Sequence, residues 1–160
     1  MFDFLKKKEN KIEIGAPVKG QAVPISEVSD PTFGEEILGK GVAIRPEEGK
    51  IYAPVDGEIT LLFDTLHAVS LTSDEGVEVL VHVGLDTVAL KGEHFTAHRA
   101  TGEKVRKGDL LITVDLDQVK AAGYDIITPV IICNTDAFKS VEAITGKSVT
   151  PQDTVLALTK

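Results

Sequence analysis

The chain has 160 residues, enough for one domain with a substantial buried core. It carries 25 acidic residues against 17 basic ones, a formal net charge of −8, which argues against a broad basic face for nucleic acid and points to basic proteins or small molecules as partners. The single cysteine, Cys133, excludes an internal disulfide; no run approaches the roughly 20 apolar residues of a membrane span, and Lys6, Lys7 and Lys8 interrupt the N-terminal apolar residues before a signal-peptide core can form, so the expected location is the cytoplasm.

Residues 1–10 are read as a flexible tail. Phe2, Phe4 and Leu5 beside the lysines allow at most a weak contact with an anionic membrane surface, and a solvated terminus is the simpler reading. Residues 11–160 are read as a single domain. With 14 Gly, 7 Pro, 5% aromatic residues and many short Val/Ile/Leu/Thr runs, the chain suits an all-β protein with an aliphatic core. Two segments repeat, Ala16-Pro17-Val18-Lys19-Gly20 and Ala53-Pro54-Val55-Asp56-Gly57, with an echo at Thr128-Pro129-Val130. A proline-fixed lead-in followed by a glycine turn recurs in each, which suggests a duplicated β motif.

Between the copies, residues 30–39 predict a loop with at most one helical turn, stopped by Gly39; Phe33, Ile37 and Leu38 stand at helical spacing as core residues or as an apolar rim. Residues 41–45, 50–53 and 58–63 predict strands. Residues 65–72 and 77–88 are β-branched, apolar and separated by Ser73-Asp74-Glu75-Gly76, a hairpin signal. A four-residue loop would pair Thr72 with Val77 and set His67 opposite His82, with Cβ atoms about 4.5–5.5 Å apart. Residues 90–99 lack a sustained period. Residues 102–111 predict a β-turn-β unit feeding a strand at 110–114. Asp115 heads the best helix, closed by Gly123, and residues 126–133 and 154–159 read as buried strands. Asn134 is expected to cap a short helix running through Phe138 to Val141. The sum is an antiparallel β-sandwich or barrel-sandwich of roughly ten to thirteen strands with one or two short helices.

Of four histidines, His94 and His98 fall in a polar loop, whereas His67 and His82 fall inside apolar strands. One strand histidine is most simply a hydrogen-bonded core residue. Two brought together by a turn invite coupled protonation and a chemical role. Zinc needs three or four protein ligands, and H-x-H, H-E-x-x-H and C-x-x-C are absent, so the pair would hold it only if Asp86 or another protein completed the set. No nucleophile elbow and no phosphate-cradling G-x-x-x-x-G-K-[ST] loop is present. A histidine nucleophile remains: a neutral imidazole accepts a phosphoryl group when its other nitrogen is held as a donor, and backbone carbonyls near Gly84 are placed to hold His82 in that way.

The run Leu80-Val81-His82-Val83-Gly84-Leu85-Asp86-Thr87-Val88-Ala89-Leu90-Lys91-Gly92-Glu93 resembles the phosphohistidine motif of the glucose-type enzyme IIA of the phosphoenolpyruvate-dependent sugar phosphotransferase system, and Thr65-Leu66-His67-Ala68 resembles the family's second histidine site. The similarity runs from about Ile12 to Lys160. It implies a β-sandwich phosphocarrier, expected to act as a monomer, that receives phosphate from the histidine phosphocarrier protein and gives it to a cysteine on the IIB domain of a sugar permease. By that matching His82 is the acceptor, His67 its neighbour and Thr65 a hydroxyl that orients His67. Asp86 falls in the motif and is expected to help recognise basic partner residues, and Asp30 and Asp136 align with further acidic positions. No cofactor is required. His94 stands where the family has glycine, and Leu66 where a polar residue is common. From other classes, a regulator that binds transporters or metabolic enzymes without transferring phosphate, and a zinc hydrolase or biotin carrier, compete; the missing H-x-H and M-K-M motifs weigh against the last two.

Overall fold

The computed structural model describes residues 11–160, so the expected tail at 1–10 lies outside the described residues. The strands are β1 (Lys11–Gly15), β2 (Gly20–Pro24), β3 (Lys40–Pro46), β4 (Lys50–Tyr52), β5 (Gly57–Leu62), β6 (Ala68–Ser73) and β7 (Glu78–His82). They continue with β8 (Phe95–Ala97), β9 (Lys104–Val105), β10 (Leu110–Val114), β11 (Thr128–Ile132), β12 (Ser140–Ala143), β13 (Lys147–Val149) and β14 (Thr154–Thr159). Two short helices interrupt them, α1 (Pro31–Gly34) and α2 (Leu116–Ala121). The all-β class with two short helices is as the sequence predicts. The described residues hold fourteen strands, one more than the upper expectation, because the chain turns often enough for two- and three-residue strands to pair.

Every strand pairing is antiparallel. Eight strands form one sheet in the order β13-β2-β3-β11-β7-β6-β5-β9, and two three-stranded sheets, β1-β14-β12 and β4-β10-β8, accompany it. The repeated A-P-V-x-G segments both form turns that launch strands, β2 and β5. Each copy bonds to the chain leading into the other: Gly15 N–H donates to the Pro54 carbonyl at 3.0 Å and Tyr52 N–H to the Pro17 carbonyl at 2.7 Å. The Thr128 echo lies within β11, where Pro129 pairs with Ala43 instead of turning.

The central strands β3, β11, β7 and β6 carry apolar residues on both faces, in runs such as Val42-Ala43-Ile44, Val79-Leu80-Val81 and Val130-Ile131-Ile132, because both faces are covered there. Val42 and Ile44, Val130 and Ile132, Val79 and Val81, and Val69 and Leu71 enter the main core. The alternate residues Ala43, Ile131, Leu80 and Ala68 form a smaller cluster on the opposite face with Ile25, Val28, Phe33, Leu85 and Ile127. Period-two alternation therefore places His82, two residues after Leu80, at the margin of this second cluster.

Three local expectations are corrected. The histidine hairpin has a shorter loop: Ser73 pairs with Val77, its N–H donating to the Val77 carbonyl at 2.8 Å while its Oγ accepts from Val77 N–H at 3.0 Å, and Gly76 takes φ +85. The register moves by one, and Ala68, not His67, lies opposite His82. Residues 102–111 do not form a hairpin, since β9 joins β5 whereas β10 joins β4 and β8. The helix expected through Phe138 to Val141 stops as a 3-10 turn at Thr135–Ala137, and Ser140–Ala143 becomes β12 on β14. The Asp115 cap is found: its carboxylate accepts from Gln118 N–H at 3.2 Å and α2 ends at Ala121.

Candidate active site

His82 closes β7 and leads into Val83 and Gly84. Gly84 takes φ +79, and a Cβ there would lie 2.7 Å from Thr87 Cγ2 and 2.9 Å from the Asp125 carbonyl oxygen, so the position excludes any side chain. This tight turn sends the Gly84 carbonyl back to His82, whose Nδ1–H donates to it at 2.6 Å. Nε2 is then the unprotonated nitrogen of the neutral ring, and the side chain is partly exposed to solvent.

His67 arrives by a different route from the one its spacing predicts. The strand begins only at Ala68, and Leu66 adopts φ +58, so the chain bends before it enters the sheet. His67 still anchors the sheet end through its carbonyl, which accepts from Val83 N–H at 2.7 Å. Its ring meets the His82 ring with centroids 4.9 Å apart and planes at 84°. Thr65 Oγ1 hydrogen-bonds His67 Nδ1 at 2.5 Å, which directs His67 Nε2 away from Thr65. The expected pair of histidines and the supporting threonine are thus assembled, by a bend and not by direct cross-strand pairing.

Two aromatic rings complete the seat. Phe33 from α1 lies 4.8 Å from the His82 ring and Phe63 lies 5.5 Å from the His67 ring, centroid to centroid. Sequence reasoning missed both contacts: residues 33 and 82 are far apart in the chain and meet only on the sheet face, whereas Phe63 reaches His67 through the local turn in which Leu66 N–H donates to the Phe63 carbonyl at 2.8 Å. Phe33 is core, whereas Ile37 and Leu38 are 69% and 42% exposed, so the apparent helical cluster is split by the end of α1 at Gly34.

Burial dominates the electrostatics. His67 is only 5% exposed, and desolvation with the nearby His82 lowers its pKa from 6.5 to about 4. Desolvation also lowers the pKa of His82, opposed by the Gly84 carbonyl and by the charges of Asp30 and Asp86. Both rings are therefore neutral at pH 7. Asp30 caps α1, its Oδ1 accepting from Thr32 N–H at 3.0 Å, and Asp86 sits in the left-handed region at φ +61 just after the Gly84 turn. Asp136 lies in the turn Thr135–Ala137, beside Cys133 and residues 36–40, and is not among the carboxylates acting on His82. His98 is bonded to Thr113 on the surface, and His94 lines a separate cleft with Glu47, Asp115 and Lys120. Among the described residues no group of three or more His, Cys, Asp or Glu side chains is arranged to hold a metal. No helix among them is long and apolar enough to cross a membrane.

Residues 12–138 match the family model for the phosphoenolpyruvate-dependent sugar phosphotransferase system, EIIA 1. The chain is 52% identical over 147 residues to the PTS system beta-glucoside-specific EIIBCA component of Bacillus subtilis (strain 168), a match covering 91% of this chain and 24% of that protein. It thus spans about a quarter of the length of that relative. It is 44% identical over 164 residues to the PTS system glucose-specific EIIA component of Haemophilus influenzae, covering 100% of this chain and 99% of that one. The structure superposes on glucose permease IIA from Mycoplasma capricolum with a TM-score of 0.85 at 36% identity, over 92% of this chain and 95% of that one. A neutral histidine held by its Nδ1 beside a second histidine, on this sheet and with these relatives, places the chain in the EIIA 1 family of the phosphoenolpyruvate-dependent sugar phosphotransferase system, as a phosphohistidine carrier of that system.

Proposed function

We propose that His82 Nε2 accepts a phosphoryl group from the histidine phosphocarrier protein and passes it to a cysteine of a permease IIB domain, with the chain working in the cytoplasm. The observation that carries this reading is the 2.6 Å hydrogen bond from His82 Nδ1–H to the Gly84 carbonyl, which leaves the Nε2 lone pair free on a partly exposed ring. In the first step the Nε2 lone pair forms a bond to phosphorus as the donor's N–P bond breaks, and the donor imidazole keeps the electron pair. The Nδ1 proton stays in its bond to Gly84 and stabilises the charge that develops on the ring. In the second step the cysteine thiolate forms an S–P bond and His82 departs neutral.

His67 stands at the side of the transferred group and acts chiefly in delivery to the IIB cysteine. With the Thr65 hydroxyl donating to its Nδ1, its Nε2–H is free to donate to the phosphoryl oxygens on His82. Asp30 and Asp86 are the carboxylates closest in effect to His82, and they fit a basic partner whose cations approach the ring. The step needs no cofactor. The two available Nε2 atoms fall short of a zinc ligand set, so zinc occupancy would require donors from a docked partner.

The test is phosphorylation from phosphoenolpyruvate with enzyme I and the histidine carrier. The chain should gain about 80 Da in an acid-labile form, and His82→Ala should gain nothing while remaining folded. Phosphate retained on His82→Ala overturns the assignment. The names of the relatives above set the delivery panel: IIB domains of beta-glucoside and glucose permeases.

A further inference from the structure

Thr87 follows the Gly84 turn and opens the 3-10 turn Thr87–Leu90. It is fully buried at 0% exposure, yet nothing in the phosphoryl transfer described above uses it. Its hydroxyl donates to the Val83 carbonyl at 2.6 Å, and its Cγ2 fills the space against the Gly84 Cα. The peptides on either side are also tied: Val83 N–H donates to the His67 carbonyl at 2.7 Å and Leu85 N–H to the Asp125 carbonyl at 2.9 Å. In a planar trans peptide the C=O and N–H point in opposite directions. The Leu85 bond to Asp125 therefore aims the Gly84 carbonyl, in the same peptide unit, away from Asp125 and toward His82. Asp125 is itself set by its carboxylate, whose Oδ1 accepts from Ile127 N–H at 2.9 Å. The one link in this chain supplied by a buried side chain is the Thr87 hydroxyl.

We propose that Thr87 is a positioning residue for phosphoryl transfer: by holding the Val83 carbonyl and closing over Gly84, it fixes the carbonyl that keeps His82 protonated at Nδ1. A glycine at φ +79 has wide conformational freedom of its own, so without the hydroxyl the 83–84 peptide rocks and the Gly84 carbonyl loses its aim. The Nδ1–H tautomer then loses its preference over the Nε2–H tautomer, whose Nε2 has no lone pair for phosphorus. The effect on transfer rests on the reading that His82 Nε2 is the acceptor; the effect on the tautomer does not.

The experiment uses the full chain with Thr87→Val, which keeps the shape and loses the hydroxyl, and Thr87→Ser, which keeps the hydroxyl. Imidazole ¹⁵N NMR reads the His82 tautomer, and phosphate acceptance from the histidine carrier is timed in parallel. The Nδ1–H tautomer should dominate in the parent chain and in Thr87→Ser and become mixed in Thr87→Val. Acceptance should fall by roughly 10–100-fold in Thr87→Val, by analogy with the loss when a metal-bound histidine loses the partner that orients its ring, and recover in Thr87→Ser. A folded Thr87→Val with the parent tautomer, or a Thr87→Ser as impaired as Thr87→Val, overturns the proposal. If Thr87→Val does not fold, Thr87→Cys, with a weak S–H donor, replaces it: an intermediate tautomer ratio supports the role and an unchanged one overturns it. Failure of the acceptor assignment shows separately, as phosphate retained on His82→Ala.

Discussion

At the scale of single residues, the proposed transfer divides one task between two neutral rings, His67 and His82. Only His82 has its Nδ1 on a backbone carbonyl; His67 has its Nδ1 on a hydroxyl and is the more deeply buried of the two. In the proposed transfer, a ring whose pKa is held near 4 would enter the reaction uncharged and donate through Nε2–H without competing for the phosphoryl group. Replacing it by glutamine keeps an N–H of similar reach but cannot follow the ring's geometry or polarisability as charge builds on the phosphoryl oxygens. His67→Gln is therefore expected to accept phosphate and to deliver it to the IIB cysteine slower by roughly 10²–10³, the usual loss for one charge-stabilising donor. Rapid-quench timing of the two half-reactions checks this, and equal losses in both would reduce His67 to a packing role. The identities of these residues were readable from the sequence, as was the need for a carbonyl near Gly84. The ring contacts of Phe33 and Phe63 were not, because Phe33 is brought to His82 from a distant part of the chain, and Phe63 meets His67 only through the turn that closes with Leu66 N–H on the Phe63 carbonyl.

At the scale of elements, the segment from Gly84 to Phe95 is held in unusual backbone conformations. Asp86, Lys91 and His94 have φ of +61, +53 and +76, and the His94 carbonyl accepts from Asp115 N–H at 2.9 Å, tying the segment to the start of α2. His94 is the position at which the resemblance called for glycine, and its positive φ explains that preference. A non-glycine residue there costs on the order of 1–3 kcal/mol in strain, partly offset because glycine gains more freedom on unfolding. His94→Gly is thus expected to raise the stability by roughly 0.5–1 kcal/mol, read as a shift in the urea midpoint at unchanged slope. A drop in the midpoint would show that the His94 ring, which lines the cleft beside Glu47 and Asp115, holds the segment by its contacts. Turn chemistry and hydrophobic period located β3, β5, β10, β14 and α2 in advance, since those signals are local. They did not give the partner of β9, the extended state of Ser140–Ala143 or the hairpin register, since each depends on what lies across the sheet.

At the scale of the whole molecule, stability and pH are linked through the site. Both active-site histidines have pKa values lowered by folding, so between the unfolded value of 6.5 and about 4 the unfolded chain binds more protons than the folded one. Stability supplied by keeping them neutral is full above pH 6.5 and is lost as the pH falls toward 4. Asp153, held below its ordinary 3.8 by hydrogen bonds from Thr150, acts at still lower pH. Urea midpoints measured from pH 7 to 4 should therefore decline, and more shallowly in His67→Gln; an identical slope in that variant would place the acid sensitivity elsewhere. The sequence by itself determined the aliphatic all-β class, the duplicated turn, the neutral histidine with its glycine carbonyl, and the family resemblance, because composition, spacing and short motifs are properties of neighbouring residues. Only the tertiary structure decided that His67 reaches His82 by a bend after Leu66, that Phe33 and Phe63 pack on the two rings, and that Asp30 and Asp86 act on His82 whereas Asp136 does not. These contacts arise where a second apolar cluster covers the far face of the central sheet, and a period-two pattern names the face but not what comes to lie against it.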